Sequence, residues 1–136
     1  MPHSFKLAST IPASPEAVFD AWLDSAGHSA MTGGKASASD KVGAAFTAWD
    51  GYISGRNIEL VRGKRIVQSW RTNQFSDAEP DSIVTVTLAP VKGGADLILE
   101  HANVPDGDNH KGYENGGWED HYFKPMQEYF GKKDRR

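Results

Sequence analysis

The sequence predicts one α+β domain in which a curved antiparallel sheet of about seven strands holds a long C-terminal helix. Three observations predict it. Between residues 35 and 102, short runs of alternating apolar residues are separated by glycine-bearing turns, the pattern of strands that follow one another as an antiparallel meander. Ahead of them, one strand-like run is followed by two short helical segments. After them, Trp118, Tyr122, Met126, Tyr129 and Phe130 recur at i, i+4, i+8, i+11 and i+12, which places four rings and a thioether on one helical stripe.

Taken in order, residues 4–11 alternate, with Phe5, Leu7 and Ile11 on one face and Ser4, Lys6 and Thr10 on the other. That is a half-buried strand. Ser14-Pro15-Glu16 then supplies an N-cap, a proline at the first helical position and an acid in the first turn. Val18, Phe19, Trp22 and Leu23 recur at helical spacing, so a helix is expected over 15–25. The small, polar stretch 25–34 reads as a second short helix or loop ending near Met31. Strands are expected at 35–40, 44–49, 52–61, 64–72, 83–88 and 95–102. Asp50-Gly51 stands at the centre of a hairpin turn that needs positive φ. Residues 104–117 read as loop, and a helix follows from about Gly117 to Phe130, with Pro125 bending it mid-way.

A chain of 136 residues is long enough to bury a core without a covalent staple. It contains no cysteine, which removes thiol catalysis, thiolate zinc sites and disulfides together. No leading segment resembles a signal peptide and no apolar run is long enough to span a bilayer, so a cytoplasmic setting is expected. The net charge is −3, from 15 basic and 18 acidic side chains mixed along the chain. Nucleic-acid binding needs a basic stripe to neutralise phosphates, and the one basic cluster, within 131–136, is expected as a flexible tail at the helix end. No nucleic-acid partner is expected, and monomer and homodimer stay open.

The segment Gly51-Tyr52-Ile53-Ser54-Gly55, followed by Glu59-Leu60-Val61, Gly63-Lys64-Arg65-Ile66-Val67 and Ser69-Trp70-Arg71, resembles one family. So does the C-terminal block Gly117-Trp118, Tyr122-Phe123, Pro125-Met126 and Tyr129-Phe130. The likeness, from Phe5 to Phe130, is to the C-terminal-type domain of the activator of heat-shock protein 90 ATPase homologue family. That family belongs to the START-related, birch-pollen-allergen-like superfamily (SRPBCC). The resemblance implies a helix-grip fold, with a pocket for an apolar or amphipathic ligand between the long helix and the concave sheet face. It also implies two other roles: a stress-related chaperone cofactor acting on a heat-shock protein 90 homologue, and a cyclase or hydratase of the kind known in the superfamily.

On that fold, Trp118, Tyr122, Met126 and Tyr129 form the helix wall of the expected cavity, with Trp49, Trp70, Val86 and Leu99 opposite. A register slip of one residue would turn the sheet set outward. His101 shares the face of Leu97 and Leu99, and pointing into the cavity it would serve as acid, base or hydrogen-bond donor; the alternative is a satisfied core histidine. Glu119 and His121, two positions apart on a helix, diverge around its axis, so no metal or cofactor site is expected. The sequence holds no phosphate loop and no nucleophile elbow, and no catalytic residue is assigned. A non-enzymatic binding module for a small hydrophobic molecule is the expectation, ahead of the chaperone-cofactor role and the enzyme.

Overall fold

A computed structural model describes residues 3–134, side chains at 108, 109, 111 and 132–134 excepted. The chain forms β1 (His3–Ile11), α1 (Pro15–Trp22), α2 (Ser25–Thr32), β2 (Ala45–Ala48), β3 (Ile53–Val61), β4 (Arg65–Thr72), β5 (Ser82–Val91) and β6 (Gly94–Val104). A 3₁₀ turn, Asp108–Tyr113, leads into the last helix, whose regular part is α3 (Lys124–Asp134). Arg135 and Arg136, at the end of the expected tail, lie outside the described residues. No helix among the described residues is long and apolar enough to cross a membrane.

The six strands form one antiparallel sheet in the order β1-β6-β5-β4-β3-β2. The hairpins β2 to β6 follow sequence order, and β1 returns to pair with β6 because the two helices carry the chain across the sheet between them. Alternation decides the buried face: Val84, Val86 and Leu88 of β5, and Leu97, Leu99 and His101 of β6, are all buried. The helices α1, α2 and α3 cover that face, with α1 against β5 and β6 and α3 against α2 and β1.

One expected strand is absent. Residues 35–40 make only an isolated bridge, Ser37 to Thr47. Their neighbouring N–H groups are taken by serines of α2: Ala36 N donates to Ser29 Oγ and Ala38 N to Ser25 Oγ, both at 2.9 Å. Two hydroxyls one helical turn apart tie the segment to the helix, and a run of small polar residues has little to gain in a sheet. The sheet therefore has six strands.

The first helix ends at Trp22 rather than 25, because Asp24 is extended (φ −115°, ψ 131°) and its carboxylate caps the next helix by accepting from Gly27 N at 2.8 Å. The β2–β3 loop spans 49–52 and holds the expected Asp50-Gly51 turn (φ 58° and 88°), closed by Tyr52 N–H donating to Trp49 O at 3.0 Å. An overlapping turn just ahead of it, closed by Gly51 N–H donating to Ala48 O at 3.2 Å, puts Trp49 at φ 51° as well. A tryptophan in left-handed backbone is uncommon and costs about 1–3 kcal/mol. Something in the tertiary structure holds it there.

The last helix starts at Gly117 and Trp118 and then widens into a π turn at Glu119–Phe123, with Lys124 N donating to Glu119 O. Pro125 follows at once. Its ring would collide with the carbonyl four residues back in a regular helix and it has no N–H to donate. The π turn relieves both and adds one residue to the inward face. Phe123 is buried beside Trp118, Tyr122, Met126 and Phe130.

Candidate functional site

Between the start of the last helix and the β2–β4 end of the sheet lies a cavity of about 450 Å³. Trp49, Tyr52, Ile53 and Trp70 line it from the sheet side, Gly117, Trp118, His121 and Tyr122 from the helix, and Gln74, Gly112 and Tyr113 from the loops. Gln74, Gly112 and His121 are exposed and mark its mouth. Seven of the eleven lining residues carry rings.

Trp49 is set by its neighbours. A Cβ on Gly34 would stand 2.4 Å from the indole, so only glycine lets the ring lie there. His121 meets the other side edge-on at 5.2 Å. The indole Nε1 is the one buried side-chain N or O without a hydrogen-bond partner among the described residues. Deeper in, Trp118 packs on Trp70 at 5.5 Å and on Tyr122 at 4.9 Å, within the range where ring pairs attract beyond simple burial.

The polar groups behind these rings form two closed networks. His28 Nδ1 stands 2.8 Å from Trp22 O, an acceptor only, so Nδ1 carries the proton. Nε2 then accepts from the Tyr122 hydroxyl at 2.7 Å. Burial holds the His28 pKa below its ordinary value and pushes that of Tyr122 up. In the second network, Ser82 Oγ donates to Trp70 O at 2.6 Å, so His101 Nε2–H donates to Ser82 at 2.8 Å and His101 Nδ1 accepts from Trp118 Nε1 at 3.2 Å. Burial lowers the His101 pKa to about 3.

A third set runs outward from the cavity wall. The Tyr113 hydroxyl lies 2.7 Å from Thr72 Oγ1 and 3.2 Å from His110 Nδ1, and His110 Nε2 lies 3.3 Å from Glu79 Oε1. Burial raises Tyr113 to about 12, against a lowering by the Thr72 hydroxyl. The Ser76 backbone N–H keeps the Glu79 carboxyl below its ordinary range. Among the described residues, no three His, Asp or Glu side chains converge as a metal site would require.

Of the residues expected in the cavity, the structure brings Trp49, Trp70, Trp118 and Tyr122 together in its wall. Val86, Leu99, Met126 and His101 do not reach it. All four are fully buried, the first two as a cross-strand pair at the β5–β6 centre, where α1 closes over the sheet. His101 is therefore a satisfied core histidine. Tyr129 lies beside Phe130 in a separate open groove against α1 and α2, because seven residues put it about two helical turns beyond Tyr122. Tyr52, Tyr113 and Gln74 were not legible as cavity residues, since they sit in loops or at element ends, where no periodicity assigns a face. His121, three residues after Trp118 on the last helix, shared the side of the aromatic stripe and could have been placed from that spacing.

A six-stranded antiparallel sheet around a C-terminal helix, with a ring-lined hollow between them, defines a helix-grip domain of the START-related type. Residues 12–131 match the family described as activator of Hsp90 ATPase homolog 1-like protein, and the chain belongs to it. The human activator of 90 kDa heat shock protein ATPase homolog 1 is 26% identical over 125 residues, which cover 92% of this chain and 36% of that protein. The chain thus spans about a third of the length of the curated relatives it matches first. Among solved structures, an HSP90 activator from Plasmodium falciparum superposes with a TM-score of 0.83 at 25% identity, covering 95% of this chain and 96% of the other. A Chromobacterium violaceum protein does so at 0.73 and 30% identity, covering 93% and 96%.

Proposed function

We propose that the domain is a binding module whose cavity takes a small, apolar, planar molecule. The observation that carries this reading is the 450 Å³ hollow with seven ring-bearing walls, a size within the usual range of ligand sites. Rings favour a flat guest by stacking and edge contacts, and a rigid guest loses little conformational entropy on entry. Three of the four tryptophans, Trp49, Trp70 and Trp118, line the hollow, so a guest changes the intrinsic fluorescence. Titration with a library of one- to three-ring compounds, with native mass spectrometry of the purified chain, tests the reading. Saturable quenching is expected, and lost in Ile53→Trp, which fills the space. A library that leaves both signals unchanged removes the proposal.

A second reading, a cofactor for a heat-shock protein 90 homologue, is favoured by the names of the relatives. It predicts co-purification with that chaperone and a change in its ATPase rate. Neither effect at saturating domain concentration would end it.

A further inference from the structure

The wall of the cavity at Tyr113 continues into a string of hydrogen bonds that reaches the surface. Donor and acceptor capacities fix its direction. Thr72 Oγ1 accepts from Gln74 N–H at 3.2 Å and lies 2.7 Å from Tyr113 Oη. Glu79 is an acceptor only, so His110 Nε2 carries the proton between them and His110 Nδ1 is left to accept from the Tyr113 hydroxyl. With His110 neutral, this arrangement satisfies each of the four contacts. Tyr113 Oη accordingly gives its proton to His110 and accepts one from Thr72, and its remaining lone pair is met by the hydroxyl of Tyr52 in the same cavity wall, with which it shares a hydrogen bond.

From this geometry we infer that Tyr113, His110 and Glu79 form a proton-accepting relay for a cavity guest that carries a weakly acidic hydroxyl, a phenol or an enol. The inference rests on the cavity being a binding site. In the step, the guest hydroxyl takes the place of the Tyr52 hydroxyl at Tyr113; the guest O–H bond breaks and its proton forms a new bond to Tyr113 Oη. The original Tyr113 proton passes to His110 Nδ1. The guest becomes a phenolate or enolate, and the imidazolium is paired with the Glu79 carboxylate; the return of the two protons restores the start. Tyr113 is the residue that touches the guest, and His110 and Glu79 position and receive. Phe75, edge-on to the His110 ring at 4.8 Å, walls the relay from water. Arg71 does not compete for Glu79, since it bonds Asp81 at 2.6 Å and Ser76 O at 3.0 Å. This is the carboxylate–histidine–hydroxyl order by which a base is oriented and its charged form stabilised.

The test uses 4-nitrophenol, whose phenolate is coloured, at a pH where most of the free probe is neutral. Binding is read by tryptophan quenching and ionisation by absorbance. The bound probe is expected to show a phenolate-to-phenol ratio about tenfold or more above that of the free probe. In Glu79→Gln, which leaves the cavity wall intact, affinity stays within about threefold while the ratio falls back toward the free value; in Tyr113→Phe the ratio of whatever probe remains bound falls in the same way. His121 also lines the cavity, and His121→Gln should leave the ratio unchanged. A bound probe that stays neutral, or ionisation that survives Tyr113→Phe or vanishes in His121→Gln, overturns the relay but not the cavity. Absence of binding removes both.

Discussion

His28 and His101 pack between sheet and helices with both ring nitrogens engaged, and each is held neutral by burial. For His101 the folded pKa is about 3 against 6.5 when unfolded. A folded pKa below the unfolded one means that the unfolded chain takes up the proton first, so stability is complete above about pH 6.5 and drains as pH falls toward 3. From this histidine alone the loss at pH 5 is about 2 kcal/mol, and His28 acts in the same direction. Urea unfolding at neutral pH and at pH 5 measures it. The His101→Gln variant should show a shallower slope. An equal slope in wild type and variant would mean that another group carries the acid sensitivity. Trp49 is the counterpart without a satisfied partner: its indole is held by Gly34 and His121 while its N–H goes unpaired.

At the scale of elements, the β3–β4 ladder shows how closely backbone and side chain are matched. Between the pairs Ser54–Arg71 and Asn57–Gln68 the regular pairing lapses, and a Cβ on Gly55 would fall 1.8 Å from Ser69 O. Arg56 N instead donates to Ser69 Oγ at 2.9 Å. Gly55→Ala must separate the strands there and is expected to cost about 3 kcal/mol, read as a lower midpoint in thermal unfolding. An unchanged midpoint would show that the strands can part freely. The last helix makes the same point differently. Its amphipathic stripe was plain in the sequence, but the π turn before Pro125 was not. Phe123 shares the inward face of Met126 and Phe130, while Tyr129, about two helical turns beyond Tyr122, lies in a separate groove.

Across the whole molecule, one buried polar chain ties the layers together. Trp22 Nε1 of α1 donates to Gln68 Oε1 of β4 at 3.2 Å. Gln68 Nε2 donates to Asn57 Oδ1 of β3 at 2.8 Å, and Asn57 Nδ2 reaches Ser39 O and Lys41 O at 2.8 and 2.9 Å. Gln68→Met keeps the volume but strands an indole N–H and an amide oxygen in the core. It should cost about 2–4 kcal/mol, the desolvation of two unpaired groups. Equilibrium unfolding in urea should show a lower midpoint with an unchanged slope. A loss below about 0.5 kcal/mol would mean that the network is not needed to hold the layers.

By itself the sequence determined the α+β class, the meander, the first two helices, the inward face of β5 and β6, and the final aromatic helix. Each rests on local periodicity or on a cap such as Ser14-Pro15, and periodicity survives folding because burial acts on whole faces. Four of the expected cavity residues, Trp49, Trp70, Trp118 and Tyr122, were readable for the same reason. Only the tertiary structure decided which inward residues face a hollow and which are packed solid. Val86, Leu99, Met126 and His101 have the same pattern as residues in the cavity wall but are fully buried, the first three where helices pack on the sheet or on each other and His101 among the rings of Phe5, Trp70, Tyr113 and Trp118. The string from Tyr113 to Glu79 joins residues 34 positions apart through a loop and a turn, where no repeat marks a side chain's direction. Distances of that kind are set by packing, which the order of residues does not display.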